Sequence, residues 1–272
     1  MKLGTNEVWS AVSLLLDTYS GAAAAYSLRK LRSGYSGNAI KVRRSVGSPA
    51  ETDIGFVDNE LDTSTLATFC SGTDGFVTTW FDQSGNGNDA TQTTAADQPK
   101  IVSSGSVITE NGKPSVQFDG SNDGLDFSRL QNIETLCAVA YSTRPSFPSI
   151  VIRDNTSLDL RGLFMRKDPT VWNMQQIQSF PRTSSYLINS NDSYLMYIMT
   201  NGTNSQYSLN GDADSLVAET NKISSNQIGK YHNQPENFNL QGGLKELIFW
   251  DSDQSSNRTG IETNINDFYS IY

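Results

Sequence analysis

The chain has 272 residues, and its 20 Lys and Arg against 29 Asp and Glu leave a net charge of −9. That surplus of acid excludes nucleic acid as the main partner, because phosphate binding needs an excess of Lys and Arg. The longest apolar stretches, such as Val12 to Leu16, fall far below the roughly 20 residues of a bilayer span, so no membrane partner is expected.

Charged residues make up only 18% of the chain and hydrophobic ones 36%, which still allows a sizeable core. The remainder is Ser, Thr, Gln, Gly and 23 Asn. That is turn chemistry, and it favours a β protein with many loops. Two cysteines, Cys70 and Cys137, and one histidine, His232, are too few for a four-ligand zinc site or a disulfide framework. Two free, buried thiols are expected, with a single Cys70–Cys137 bond as the alternative.

In chain order, Val8, Val12, Leu15, Leu16 and Tyr19 follow the spacing of one helical face. That stripe has two competing uses: docking on the chain's own core, or anchoring a neighbouring subunit. Residues 1–21 are therefore read as an N-terminal helical arm, and 22–272 as one domain. Ala22 to about Leu31 is predicted as a second helix, since alanine is the best helix former and Ser33-Gly34 is a plausible stop. Short strands between Gly, Asn, Asp and Ser clusters come next. They are Ala39–Arg44, Phe76–Phe81, Ser115–Phe118, Glu134–Tyr141 and Ser149–Arg153. Tyr194–Met199 and Ser205–Leu209 form a hairpin around Asn201-Gly202. Asn226–Gly229 and Leu244–Trp250 complete the set. Ile261, Ile265, Phe268 and Tyr269 mark a terminal helix. Many strands and no βαβ alternation predict a mainly β, antiparallel sandwich.

Tyr26-Ser27-Leu28-Arg29, Tyr35-Ser36-Gly37, Lys41-Val42-Arg43-Arg44 and Trp80-Phe81-Asp82-Gln83-Ser84-Gly85-Asn86-Gly87-Asn88 together resemble the start of the catalytic domain of fungal-type α-L-arabinofuranosidase B. Ile228-Gly229 and Leu240–Phe249 are similar to that domain's end, and equally to the last strands of concanavalin A-like, laminin-G-like lectin modules. The layout also resembles lectin-like proteins encoded in bacteriophage genomes. The resemblance implies a concanavalin A-like jelly-roll sandwich. It does not carry the catalytic pair across. The family's nucleophilic glutamate lies in a stretch with two adjacent cysteines, whereas Cys70 and Cys137 stand far apart. Its acid/base aspartate follows the late Ile-Gly strand, where this chain has Lys230-Tyr231-His232-Asn233.

Glycoside hydrolysis needs two carboxylates, about 5 Å apart for retention or roughly 6.5–9.5 Å for inversion. Asp82, Asp119, Glu236 and Glu246 are the candidates. Strand alternation places Leu244, Glu246, Ile248 and Trp250 on one face, an apolar setting that raises a carboxyl's pKa. Asp82 to Asp89 crowds oxygens into a tight turn: a turn that bonds its own backbone, a calcium loop, or a direct ligand contact. Asp119 to Asp123 offers the same three readings. Tyr231, His232, Asn233 and Trp172 are glycan-contact candidates, because rings stack on sugar faces while Asn and His bond hydroxyls. Trp250 is a weaker one.

With the family's pair unmatched, the sequence predicts a non-enzymatic virion structural or attachment protein. It would be a tail-fibre, head-fibre or capsid-decorating component with no catalytic residue, metal or cofactor. Val8, Val12, Leu15, Leu16 and Tyr19 would anchor it in a homo-oligomer or to other virion subunits, and the sandwich would bind a cell-surface glycan. The alternatives are an arabinofuranosidase-like glycoside hydrolase and a free carbohydrate-binding module.

Overall fold

In the computed structural model, the described residues are 13–47, 50–144, 149–156, 162–167, 172–175, 191–213, 217–219, 222–230 and 238–272. They form a mainly β, antiparallel sandwich of jelly-roll type with a short C-terminal helix, as the strand pattern predicts.

The strand Gln241–Trp250 organises one layer. Thr135–Ser142 pairs along one of its edges, and Tyr194–Met199 pairs with Thr135–Ser142 in turn. The other edge is shared. Ala22–Ser27 covers Glu246 to Trp250, and Val116–Asp119 covers Gln241 to Leu244. Lys245 lies at the join, where the register against Thr135–Ser142 slips between Val139 and Ala140. In the second layer Ile40–Arg44 lies between Glu51–Ile54 and Gly75–Trp80, while Leu125–Ile133 pairs with Ile223–Ile228, which pairs with Ser149–Arg153. All eight residues of Thr135–Ser142 are buried, as a central strand apolar on both faces requires.

Two apolar bodies result. Tyr26, Trp80, Phe127 and Phe249 meet between the layers, with ring centroids 5.6–6.2 Å apart. The second body lies on the outer face, where Ala22, Ala25, Ile248 and Trp250 meet Ile261, Ile265 and Tyr269 of the helix Arg258–Tyr269.

Several expectations are corrected. Ala22 to Ser27 is a strand and not a helix. Helix propensity differs by only tenths of a kcal/mol between most residues, and a full ladder with Gln241–Trp250 outweighs it. The alanines suit a strand covered on both faces, since Ala24 belongs to the inner core and Ala22 and Ala25 to the outer one. The helix Thr63–Phe69 was not foreseen, although Asp62 caps it by accepting the Thr65 N–H. The described part of the N-terminal arm is one turn, Leu15–Thr18. Leu15 and Leu16 are buried in the outer core and the half-buried Tyr19 packs against it, so Leu15 and Leu16 dock on their own chain, the first of the two uses expected of the stripe. Val8 and Val12 lie outside the described residues.

Candidate functional site

Glu246 is a buried ion-pair partner. It is 1% exposed, and Arg29 grips it with Nε on Oε2 at 2.8 Å and Nη2 on Oε1 at 2.9 Å. Ser27 Oγ and Tyr269 Oη also donate to Oε2. The bulge at Lys245 breaks the expected alternation: Leu244 joins the inner core with Leu247 and Phe249, while Ile248 and Trp250 face the helix. A carboxylate buried this far with four donors on it is held as a structural partner, and Glu246 is removed as a catalytic candidate. Trp250 is also removed as a glycan contact, being fully buried with its ring N–H on the Tyr19 carbonyl.

The Asp82–Asn88 stretch is a brace. Asp82 accepts the backbone N–H groups of Ala25, Ser84 and Asn88 and the Ser84 hydroxyl. Gln83 takes the Leu31 N–H on Oε1 and gives Nε2 to the carbonyls of Ser27 and Arg29. Asn86 and Asn88 donate to the carbonyls of Ala22 and Ala23. These side chains occupy backbone groups along the Ala22–Ser27 strand, as a neighbouring strand would. The most specific motif of the sequence thus has an architectural role.

The turn Asp119–Gly124 forms a different kind of site. It projects from the end of Val116–Asp119 beside a pocket of about 440 Å³, whose walls include Phe76, Lys100, Phe118, Asp119, Asp123 and Gln241. Asp119 Oδ1 accepts the N–H groups of Ser121 at 2.7 Å and Asn122 at 3.3 Å, so the turn is locally self-bonded. Asp123 is 7% exposed, and Oδ2 accepts the Asp119 N–H at 2.9 Å. Burial first, and then the charge of Asp119, push the Asp123 carboxyl up to about 7. Asp97 adds to the rise, while the Asp119 N–H and Lys100 oppose it. Asp123 therefore keeps its proton near neutral pH beside an exposed second carboxylate, Asp119.

The walls are rigidly held. The Arg43 guanidinium lies 4.8 Å from the Phe76 ring centroid and the Lys100 ammonium 5.4 Å from it. Lys100 pairs with Asp74 at 2.8 Å. Arg43 also bonds Gln98, and Arg144 bonds Gln241. Gly229 and Lys230, which end the Ile223–Ile228 strand, back onto the pocket: Gly229 packs against Phe118, and Lys230 pairs with Asp97. Among the described residues, no group of three or more Cys, His, Asp or Glu gathers to hold a metal. Cys70 and Cys137 are free and buried, and burial raises both thiols.

Tyr231, His232, Asn233 and Glu236 lie outside the described residues. Trp172 is on a strand, opposite Lys167. The Asp-Gly-Ser-Asn-Asp-Gly run signals a turn in sequence, but the pairing with Asp97 has no sequence signal because it is made by the fold.

Residues 17–121, less than half of the chain, match the family model of the α-L-arabinofuranosidase B catalytic domain. No curated protein matches the chain. Among solved structures, it is similar to a mutant GH54 α-L-arabinofuranosidase soaked with 4-nitrophenyl α-L-arabinofuranoside, at 18% identity and a TM-score of 0.66. The alignment covers 92% of this chain and 64% of that one. An arabinofuranosidase complexed with arabinofuranosyl-α-1,2-xylobiose aligns at 17% identity and a TM-score of 0.60, again over 92% and 64%. A Trypanosoma rangeli sialidase in complex with sialic acid aligns at 13% identity and a TM-score of 0.50, over 71% of this chain and 32% of that one. At such identities the likeness establishes the fold. The match to a catalytic-domain family, together with the arabinofuranosidase structures, overturns the expectation of a non-enzymatic virion structural or attachment protein. It supports the hydrolase alternative instead.

Proposed function

We propose that the chain is a glycoside hydrolase acting on α-L-arabinofuranosides, with its site in the pocket at the Asp119–Gly124 turn. The observation that carries this reading is the arabinofuranosidase B match over residues 17–121, the segment that builds most of that pocket. Asp123 is the general acid, protonated near neutral pH, and gives its proton to the leaving-group oxygen. Asp119 supplies the second carboxylate, as a nucleophile or as the base for water. The positions by which the family is known are not matched in sequence, and the pair proposed is Asp119 and Asp123, both of which line the pocket.

The test compares two substrates. With 4-nitrophenyl α-L-arabinofuranoside, the leaving group departs with little help from an acid. With an arabinofuranosyl xylooligosaccharide, it needs protonation. The wild type should hydrolyse both, and Asp123→Asn should slow the oligosaccharide about 10²–10⁴-fold while sparing the nitrophenyl substrate much more. Absence of hydrolysis of either substrate by folded wild-type protein overturns the reading, and binding without turnover would indicate a carbohydrate-binding module.

A further inference from the structure

Asp97 ends the short 3-10 turn Ala95–Asp97 and grips the acidic turn from outside. Its Oδ1 accepts the Asn122 side-chain amide at 2.6 Å, and its Oδ2 accepts Lys230 Nζ at 3.3 Å. Its backbone carbonyl accepts the Gly124 N–H at 3.0 Å. The Ala96 carbonyl also accepts from the Asn122 amide, at 3.0 Å. The residues on both sides of Asp123 are therefore fixed by one short turn, and so is Lys230, two positions past the Ile223–Ile228 strand. The bond from the Asp119 N–H is the one hydrogen bond to the Asp123 carboxyl among the described residues.

We propose that Asp97 is a positioning residue, which sets the place and the ionisation of the Asp123 carboxyl by tying its turn and Lys230 into one unit. The inference rests on the hydrolase reading only in taking Asp123 as the acid. The charged groups around Asp123 come from several elements: Asp119 on its own turn, Asp97, Lys100 on the Lys100–Ser103 strand, Lys230 held by Asp97, and Arg144 at the rim. Asp97→Asn removes a negative neighbour and releases a positive one, and both changes favour ionised Asp123. Lys230→Met leaves the Asp97 charge uncompensated, which favours the protonated form.

The test is a carboxyl ¹³C NMR titration of Asp123 in the full chain. Its midpoint should fall by about half a unit to one unit in Asp97→Asn and rise by a similar amount in Lys230→Met. Opposite shifts are the signature, because mere loosening of the turn hydrates Asp123 and lowers the midpoint in both variants. No shift in either variant, or a fall in both, overturns the proposal. Should Asp97→Asn fail to fold, the sign of the Lys230→Met shift decides alone. Hydrolysis is measured separately: opposite shifts without glycoside cleavage leave the positioning role intact and sink the hydrolase reading.

Discussion

Arg29 and Glu246 join two distant parts of the chain through two parallel hydrogen bonds inside the protein, with side chains 6% and 1% exposed. The pair sits under the helix Arg258–Tyr269, where Arg29 also bonds the Asn264 side chain and lies 5.0 Å from the Phe268 ring centroid. It fastens the end of Ala22–Ser27 to the last strand at the point where the Lys245 bulge divides that strand's edge.

Removing one partner of this pair leaves a charge buried without compensation. Glu246→Ala is expected to destabilise the protein by about 3–5 kcal/mol. The double change Arg29→Met with Glu246→Leu should recover a large part of that loss, since both charges leave together. Urea unfolding of the two variants checks this. A near-neutral Glu246→Ala would show that the pair is not what holds the layer to the helix.

The Asp82 brace predicts a second stability effect. Asp82→Ala strands three backbone N–H groups along the first strand and its turn, and it should cost about 3 kcal/mol or more. Asn86→Ala, which loses two bonds to carbonyls that sit nearer solvent, should cost about 1 kcal/mol. Calcium should leave the urea midpoint of the wild type unchanged, because the Asp82 oxygens already have four donors. A midpoint that rises with micromolar calcium would return the turn to the metal reading.

What the sequence revealed follows from which signals are local. Thr135–Ser142 and the hairpin at Asn201-Gly202 were legible, because a run of apolar residues or an Asn-Gly tip carries its own instruction. The terminal helix was legible from Ile261, Ile265 and Tyr269, all buried on one face. Ala22 to Ser27 misled, since alanine's preference for helix is weak and the partner strand lies more than 200 positions away. Glu246 misled for a related reason: alternation does put it on one face with Ile248 and Trp250, but the donors that hold it, Arg29, Ser27 and Tyr269, come from distant parts of the chain. The Asp119–Asp123 turn was visible as a turn. Its chemistry was not, because burial and the charges of Asp97 and Lys100 come from other elements.

Asp123 and Asp154 predict opposite responses to pH. Asp123 is held above the ordinary aspartate range, so the folded state keeps a proton that the unfolded chain releases between about pH 4 and pH 7. Stability should decline as pH rises through that window, by at most about 4 kcal/mol, and Asp123→Asn should flatten the decline. Asp154 is buried and bonded to Arg129, Ser224 and Thr156, which hold its carboxyl well below the ordinary range despite burial. Its contribution is present above about pH 4 and is lost as pH falls toward strongly acidic values. Urea midpoints from pH 3 to 8 for the wild type, Asp123→Asn and Asp154→Asn separate the two. A wild-type curve that rises from pH 5 to 7, unaltered in Asp123→Asn, would place the Asp123 proton elsewhere.

Gly229 connects the fold to the pocket most directly. Its φ is +76°, and a Cβ there would stand 2.4 Å from the Phe118 ring, which lines the pocket. The backbone does not retreat easily, because the Gly229 N–H bonds the Val151 carbonyl and the Gly229 carbonyl accepts from Leu240, each at 2.9 Å. Gly229→Ala therefore combines left-handed strain with overpacking, for a cost of about 2–4 kcal/mol. The ring has to yield, and it is part of the wall of the pocket that holds Asp123. Hydrolysis of 4-nitrophenyl α-L-arabinofuranoside should fall in the fraction that remains folded, with KM rising as the pocket narrows. Gly112→Ala, also left-handed at φ +71° but with open space around it, is the control, and it should lose stability without loss of activity. Equal activity in the two variants would place the substrate away from Phe118 and, with it, away from the acidic turn.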